Sequence, residues 1–525
     1  MPVLRKRYKY KAVRIYYGQN PTLAQAAIDC TTPELCPQQD NMGFSLPPEL
    51  TSIILEYISH DDLHLAKYAT ISRDWQAIIE SKTFSSLKIN TPKRLAEFNE
   101  LSWDRRRSYV RKVDLIIQLE SYYDDDDAFT RYENEGEMQR NNKIFTTSIH
   151  SLFITLAKWP AKEEAEFSLS IEARSPDDLL GQTPEAKRER EKRIEESYPS
   201  NDFQDKRFER SYLQFNEEVV GVKCPAVPTI TSLEIMGAIN RRKIEPASCS
   251  FIVSKFPRLY RLVLYLNDSC KWDPELRKRH RNDFADSILL WPDSIRQLHL
   301  DFCYVAPFDQ NYSPAASTVK GKTDPLSSRL REFSQQLKEM GGAQCVLGKE
   351  VFWPTDEQNH NLQLPFWPHF TDLWLGYEPV TPSGNWMFAK EEPQESEDED
   401  DYDSSDPGSD YNEMDDTDKD WIAPEDRMGK IFRTKPIHEL FNAYYLSAAN
   451  AALCMPKLDN MFLEVTNGWN RHEFWYRVRD GVANATWSSG DDPKAFEPSD
   501  EVLQLWKQVA SARTGGDLGV EFDLL

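Results

Sequence analysis

The chain has 525 residues, 40% of them hydrophobic and 28% charged, with a formal net charge of −23. That length exceeds one ordinary core and points to several domains or an extended array. No apolar run reaches the ~18 residues of a membrane-spanning helix, and most of the net negative charge comes from one stretch, so bulk charge does not mark the folded part as a nucleic-acid binder.

The first 44 residues read as a basic arm. Arg5, Lys6, Arg7, Lys9, Lys11 and Arg14 lie among tyrosines. They lack the apolar stretch of a secretory signal. Two readings stand, a solvated arm or a nuclear-import signal. The eight cysteines form no C-x-x-C pair and mostly stand alone among apolar neighbours, as small core residues do. Together these imply a reducing compartment, cytoplasm or nucleus. The sequons at Asn267, Asn311 and Asn484 then carry no sugar.

Residues 45–82 read as three short helices. Pro47 and Pro48 suit a first helical turn, whose N–H groups lack intrahelical partners anyway. Leu50, Ile53, Ile54, Tyr57 and Ile58 recur at i, i+3, i+4, i+7 and i+8, one helix face. Asp61 and Asp62 offer caps for a second helix carrying Leu63, Leu65 and Ala66. Ile71, Trp75, Ile78 and Ile79 form a third apolar stripe. Three helices this short hold more apolar surface than they can bury among themselves.

Residues 83–390 carry a repeated pattern. Phe84-x-x-Leu87-x-Ile89 and Val110-x-x-Val113-x-Leu115 begin it, with a looser Phe167-x-Leu169-x-Ile171. Ile230, Leu259, Ile295, Phe370 and, after an interruption, Leu458 each open the same spacing. Alternating apolar pairs predict short strands. Phe256-Pro257, Trp291-Pro292, Trp367-Pro368 and Met455-Pro456 precede four of them. Proline stops a helix and sets up the extended segment. A helix, a Pro turn and a strand, repeated, predict an irregular α/β domain whose helices line a curved parallel sheet. Val351-Phe352-Trp353-Pro354 hints at a degenerate extra unit.

Two insertions break the pattern. Residues 184–197 are Lys/Arg/Glu-rich, and pairs such as Glu189–Arg193 predict a solvated helix. Residues 391–420 hold sixteen acids against Lys419, −15 of the net −23, and are expected to be disordered. Residues 421–525 complete the repeat domain. Ser499 is placed to cap a terminal helix with Val502, Leu503, Trp506 and Val509 on one face. Gly515-Gly516 ends it, and Val520-Glu521-Phe522 returns as a strand.

The chain carries no Gly-rich phosphate loop and no G-x-S-x-G elbow, and His472-Glu473 lacks a second histidine. That pair is expected on an exposed stretch from Trp469 to Tyr476. Asp124 to Asp127 lack the ordered ligand alternation of a calcium loop. No catalytic, metal or cofactor site emerges. What remains is recognition. Open-face positions of the repeat strands offer Arg261, Val263, Tyr265, Gln297, His299, Asp301, Asp372, Trp374, Asn460, Phe462 and Glu464. Of these, Arg261, Tyr265, His299, Asp301, Trp374 and Phe462 form a candidate target-binding surface.

Leu46-Pro47-Pro48-Glu49-Leu50, the Leu-x-Tyr-Ile end at Ile58, the Asp-Leu start at Leu63 and Ser72-Arg73-Asp74-Trp75 together resemble the F-box. That motif docks to Skp-family adaptors of cullin–RING ubiquitin ligases. The likeness spans roughly forty residues, and order, spacing and residue type agree. Beyond it, Trp367-Pro368 through Leu375, Val380 to Trp386, Phe432 to Pro436 and Met455 to Leu458 resemble filamentous-fungal F-box proteins. The first resemblance implies a three-helix F-box at 45–82, followed by a leucine-rich-repeat-like domain. It also implies a substrate-recognition subunit of a Skp–cullin–F-box ligase, without catalysis of its own. Leu46, Pro47, Leu50, Ile53, Ile54, Leu55, Ile58, Leu63 and Trp75 would meet the adaptor and, through it, a cullin. The repeat domain would hold an unknown protein target, with no nucleic acid or membrane involved. The alternative is a ligase-independent scaffold whose acidic insertion binds basic partners such as histones.

Overall fold

The computed structural model describes residues 47–61, 65–100, 106–122, 131–161, 166–179, 207–208, 210–237, 242–268, 273–307, 309–354, 364–390, 433–467, 470–490 and 496–523. The basic arm, both insertions, the Asp124–Asp127 run, Leu46, Leu63, Cys30, Cys36 and Cys270 lie outside them. Two compact units divide the chain, residues 1–86 with 103–110, and residues 87–102 with 111–525.

Unit 1 holds helix α1 (Pro48–Asp61), a 3₁₀ turn (Leu65–Thr70) and helix α2 (Arg73–Thr83). The second predicted helix is therefore this tight turn, and α1 runs through Asp61, where a cap was expected. Six residues suit a short i→i+3 segment better than an α-helix. Ser72 caps α2 by accepting from the Trp75 amide at 3.2 Å. Leu55, Thr51 and Ile79 are buried and form the unit's interior. Arg106 pairs with the buried Glu80 at 3.1 Å and lies over the Phe84 ring.

Unit 2 is a mixed α/β body on a large, mostly parallel sheet. Its main strands are β1 (Ser86–Ile89), β2 (Lys112–Gln118), β3 (Ser168–Arg174), β4 (Ser232–Met236), β5 (Arg261–Asn267), β6 (Gln297–Cys303), β7 (Glu339–Cys345) and β8 (Asp372–Tyr377). A small antiparallel pair, β9 (Phe388–Lys390) and β10 (Arg433–Pro436), stands apart. The main sheet ends in β11 (Asn460–Asn467), β12 (Asn470–Arg479), β13 (Val482–Ser489) and β14 (Leu518–Asp523). Seven helices belong to this unit among the described residues: α3 (Pro92–Glu100), α4 (Glu135–Leu156), α5 (Pro246–Val253), α6 (Pro274–Ser287), α7 (Pro325–Ser334), α8 (His438–Leu453) and α9 (Asp500–Thr514).

The repeated pattern lands on strands in one register. Leu233 pairs with Leu262, Leu262 with Leu298, Leu298 with Met340, Met340 with Leu373 and Leu373 with Met461. The residue before each strand continues the repeat. The Tyr260 amide donates to Thr231 O at 2.8 Å, Arg296 to Tyr260 O at 2.9 Å, Lys338 to Arg296 O at 2.7 Å, and Thr371 to Lys338 O at 2.8 Å. The aromatic or Met before each proline is core. Phe256, Trp291, Trp367 and Met455 are buried, and Phe256, Trp291 and Met455 follow a helix end. Rings carry the helices onto one sheet face: Phe284 on Phe302 at 5.4 Å, Tyr444 on Tyr377 at 5.3 Å, and Trp506 on Phe474 at 4.8 Å.

Three expectations are corrected. The extra unit is not at Val351–Pro354, where the chain makes a 3₁₀ turn (Lys349–Val351), but at β7. There Leu337-x-x-Met340-x-Gly342 puts glycine in the last apolar place. The sheet is not parallel throughout, because β12 runs antiparallel to both β11 and β13. His472 and Glu473 are not exposed. Pairing on both sides of β12 buries His472 against Phe441, Tyr445 and Phe496, and its Nε2 lies 2.6 Å from Tyr445 Oη. Cys224, Cys249 and Cys345 are buried, while Cys303 and Cys454 are half-buried.

A buried ion network ties α6 to the strand ends. Asp268, just after β5, meets Arg277 Nη2 at 2.8 Å and Arg281 Nη1 at 3.0 Å. Arg281 Nη2 reaches Asp324, the cap of α7, at 2.9 Å and donates to the Val346 carbonyl. Burial, with the Asp268 charge adding, pushes the Glu378 carboxyl up to about 8. Its unfolded value is ~4.3, so folding takes up a proton between those limits. The Glu378 contribution to stability is full below the unfolded value and is lost as pH rises through the folded one. Glu378→Gln should remove that slope and gain on the order of 4–5 kcal/mol at pH 8, with no gain near pH 4. Urea melts of both proteins across that range read it.

Candidate recognition surfaces

The first surface belongs to unit 1. Leu50, Ile53, Ile54 and Tyr57 are 48%, 48%, 36% and 74% exposed, and they sit at i, i+3, i+4 and i+7 of α1. One helix face is thus apolar and open to solvent, while Leu55 on the other face is fully buried. Leu55 is corrected from a docking residue to a core residue, because its place on the helix turns it away from that face. Ile71, just before α2, is 58% exposed, and Pro47 is exposed too. Ile58 and Trp75 are half-buried. A contiguous exposed apolar face of this kind marks an interaction site more often than scattered single residues do.

The second surface is the sheet face opposite the helices in unit 2. Register places Val263, His299, Gly341, Trp374, Phe462 and Trp475 side by side across β5, β6, β7, β8, β11 and β12. Gly341 carries no side chain, so the rings of His299 and Trp374 lean together over it, 6.1 Å apart and 7° from parallel. Trp374 stacks on Phe462 at 6.4 Å, and Phe462 lies 3.8 Å from Trp475. Tyr265 continues the row beyond His299 at 5.8 Å, and the Arg477 guanidinium caps it, 3.6 Å from the Trp475 ring.

Of the residues expected on this surface, Arg261 is exposed and Tyr265, His299, Asp301 and Trp374 are half-buried. Phe462 is corrected. It is buried, because Trp374 and Trp475 close over both sides of its ring. Val263 is buried as well, a short side chain in register between Glu234 and His299. His299 Nε2 lies 3.1 Å from Asp301 Oδ1, which also accepts from the Ala343 amide at 2.7 Å. Burial raises the Tyr265 phenol, and the Glu234 and Asp301 carboxylates raise it further.

Sequence reasoning missed Trp475 and Arg477. The signal was present in Asp480-Gly481. Both residues take positive φ, +52° and +77°, and they close the β12–β13 hairpin. An Asp-Gly pair between alternating apolar runs is a strong short-range hairpin signal.

Residues 430–525 match a family of unknown function, DUF6546. That stretch contains β10 to β14 with α8 and α9, so Phe462, Trp475 and Arg477 of the aromatic row lie within it. No F-box family is matched. A search of curated proteins finds no match.

Proposed function

We propose that the chain is a non-catalytic substrate-recognition subunit of a Skp–cullin–F-box ubiquitin ligase. In this reading unit 1, two α-helices joined through a 3₁₀ turn, is an F-box, and unit 2 is an irregular, curved, leucine-rich-repeat-like domain. The exposed face of α1 docks a Skp-family adaptor and, through it, a cullin. The sheet face holds a target protein. Function is then proximity: the receptor raises the effective concentration of a target lysine near the charged ubiquitin-conjugating enzyme. The work is placed in the cytoplasm or nucleus, and no helix of the described residues is long and apolar enough to cross a membrane.

The observation that carries this reading is the open row Leu50, Ile53, Ile54 and Tyr57, set at the spacing of the F-box-like sequence. Burying one such side chain against a partner is worth ~1.5–3 kcal/mol, so several support a stable interface. Co-expression with a purified Skp-family adaptor tests it. Ile53→Asp should lower adaptor retention at least tenfold while leaving thermal stability within about 0.5 kcal/mol, because the side chain is solvent-facing. Leu55→Ala should instead destabilise unit 1. Wild type that retains no adaptor, or Ile53→Asp that retains it equally, ends the proposal. The scaffold alternative rests on residues 391–420, which lie outside the described residues.

A further inference from the structure

We infer that the sheet face around Trp374 binds an extended basic segment of a partner protein, with one lysine or arginine seated beside the Trp374 indole. This deepens the target-binding half of the reading above and does not depend on the adaptor half.

Shape supplies the first argument. Two rows of the face differ in height. The row through His299, Trp374 and Trp475 is a wall of rings. The neighbouring row holds Asp301, then Ala343, Gly376 and Glu464. Gly376 is half-exposed, and a Cβ there would meet only Ala343 and the Gly342 carbonyl at 3.5 Å or more. The floor is therefore bare between two carboxylates three strands apart, a gap of about 14 Å at the backbone. The ring row crosses four strand spacings from His299 to Trp475, about 19 Å, the length of roughly six extended residues.

Charge supplies the second. The face-side positions of β4 to β8, β11 and β12 hold Glu234, Asp301, Glu339, Asp372, Glu464 and Glu473 against Arg261, Arg471, Arg477 and Arg479, with three of the four guanidinium groups on β12 and the carboxylates in excess on the strands before it. Arg471 of β12 already bridges Glu464 and Glu473, at 2.7 and 2.6 Å. An anionic face lined with rings suits cations, which ring faces attract and carboxylates pair with. The face contains one such pair of its own, Arg477 over Trp475. Trp374 is half-buried between the His299 and Phe462 rings, so a second cation would sit at the open rim of the ring row beside the indole, on the side of Asp301 and Glu464.

The test uses the full chain and a labelled ten-residue peptide alternating lysine with serine, followed by fluorescence anisotropy. A peptide with glutamine in place of lysine serves as the counterpart. The lysine peptide should bind, weaken as salt rises, and bind at least tenfold more tightly than the glutamine peptide. Trp374→Ala and the isosteric Asp301→Asn should each weaken it at least tenfold, while Trp374→Phe, which keeps a ring, stays within about threefold. No binding by wild type, or equal binding of the glutamine peptide, would overturn the inference. So would lysine-peptide binding unchanged in both Trp374→Ala and Asp301→Asn, since it would place the peptide elsewhere, as on residues 391–420. No adaptor is present, so failure of adaptor docking leaves the result intact.

Discussion

Arg281→Met is expected to lower the stability of unit 2 by about 3–5 kcal/mol, the cost of removing one partner from a buried charge network. Arg281, Asp268 and Asp324 are each no more than 2% exposed by side chain. The guanidinium donates to Asp268 Oδ2 at 3.0 Å, to Asp324 Oδ1 and Oδ2 at 3.3 and 2.9 Å, and to the Val346 carbonyl. Methionine fills much of the volume but supplies no donor. Asp268 keeps Arg277, whereas Asp324 keeps only Ser327 and its role as the α7 cap. The main cost is therefore a carboxylate stranded at the start of α7. Adding Asp324→Asn should recover part of the loss, because the two sites share one interaction and their effects do not add. Urea denaturation of the four proteins reads the cycle. A single Arg281→Met within 1 kcal/mol of wild type would mean that the network contributes little.

The second large effect is expected at Gly342. A Cβ there would lie 2.1 Å from the Leu300 carbonyl oxygen and 3.0 Å from its carbon, backbone atoms of the adjacent strand. Regular pairing of β6 with β7 runs from Glu339 to Gly341, and the bulge between Gly342 and Cys345 follows. Gly342→Ala must push the two strands apart and should cost about 1–3 kcal/mol or more. Gly341→Ala makes the contrast. Its Cβ would meet the His299 ring at 3.1 Å, a side chain able to turn away, so the stability loss should be smaller. Equal melting temperatures for Gly342→Ala and wild type would contradict this packing.

Gly342 also shows where the sequence stops being readable. The strands that carry two apolar anchors, such as Leu233/Ile235 and Leu298/Leu300, are legible because period two with large side chains admits few other structures. β7 keeps the spacing but replaces the last anchor by glycine, for a reason that lies on the neighbouring strand. No local pattern reports a contact made 42 residues away. The β12–β13 hairpin is different. Asp480-Gly481 announced it, yet the run from Phe474 to Val478 carries large rings on both faces and does not alternate cleanly. Phe474 and Tyr476 face the helices, while Trp475 and Arg477 build the ring row on the other side. The same tertiary effect hid the burial of Phe462. Its alternation is right for the open face, but Trp475 comes from a strand the repeat pattern does not contain.

In unit 1 the helical period of α1 was legible, and so was its excess of apolar side chains. Which of them point outward was not, since Leu55 sits among Ile53, Ile54 and Ile58 in an almost unbroken apolar run. The structure separates Leu55, fully buried, from Leu50, Ile53, Ile54 and Tyr57.

Hydrogen–deuterium exchange of the full chain, with and without a purified Skp-family adaptor, tests the central claim most directly. The account predicts slowed exchange in residues 48–61 and around Ile71 to Trp75, with the sheet strands β4 to β8 unchanged. No slowing in residues 48–61 at saturating adaptor, or slowing confined to unit 2, would contradict it.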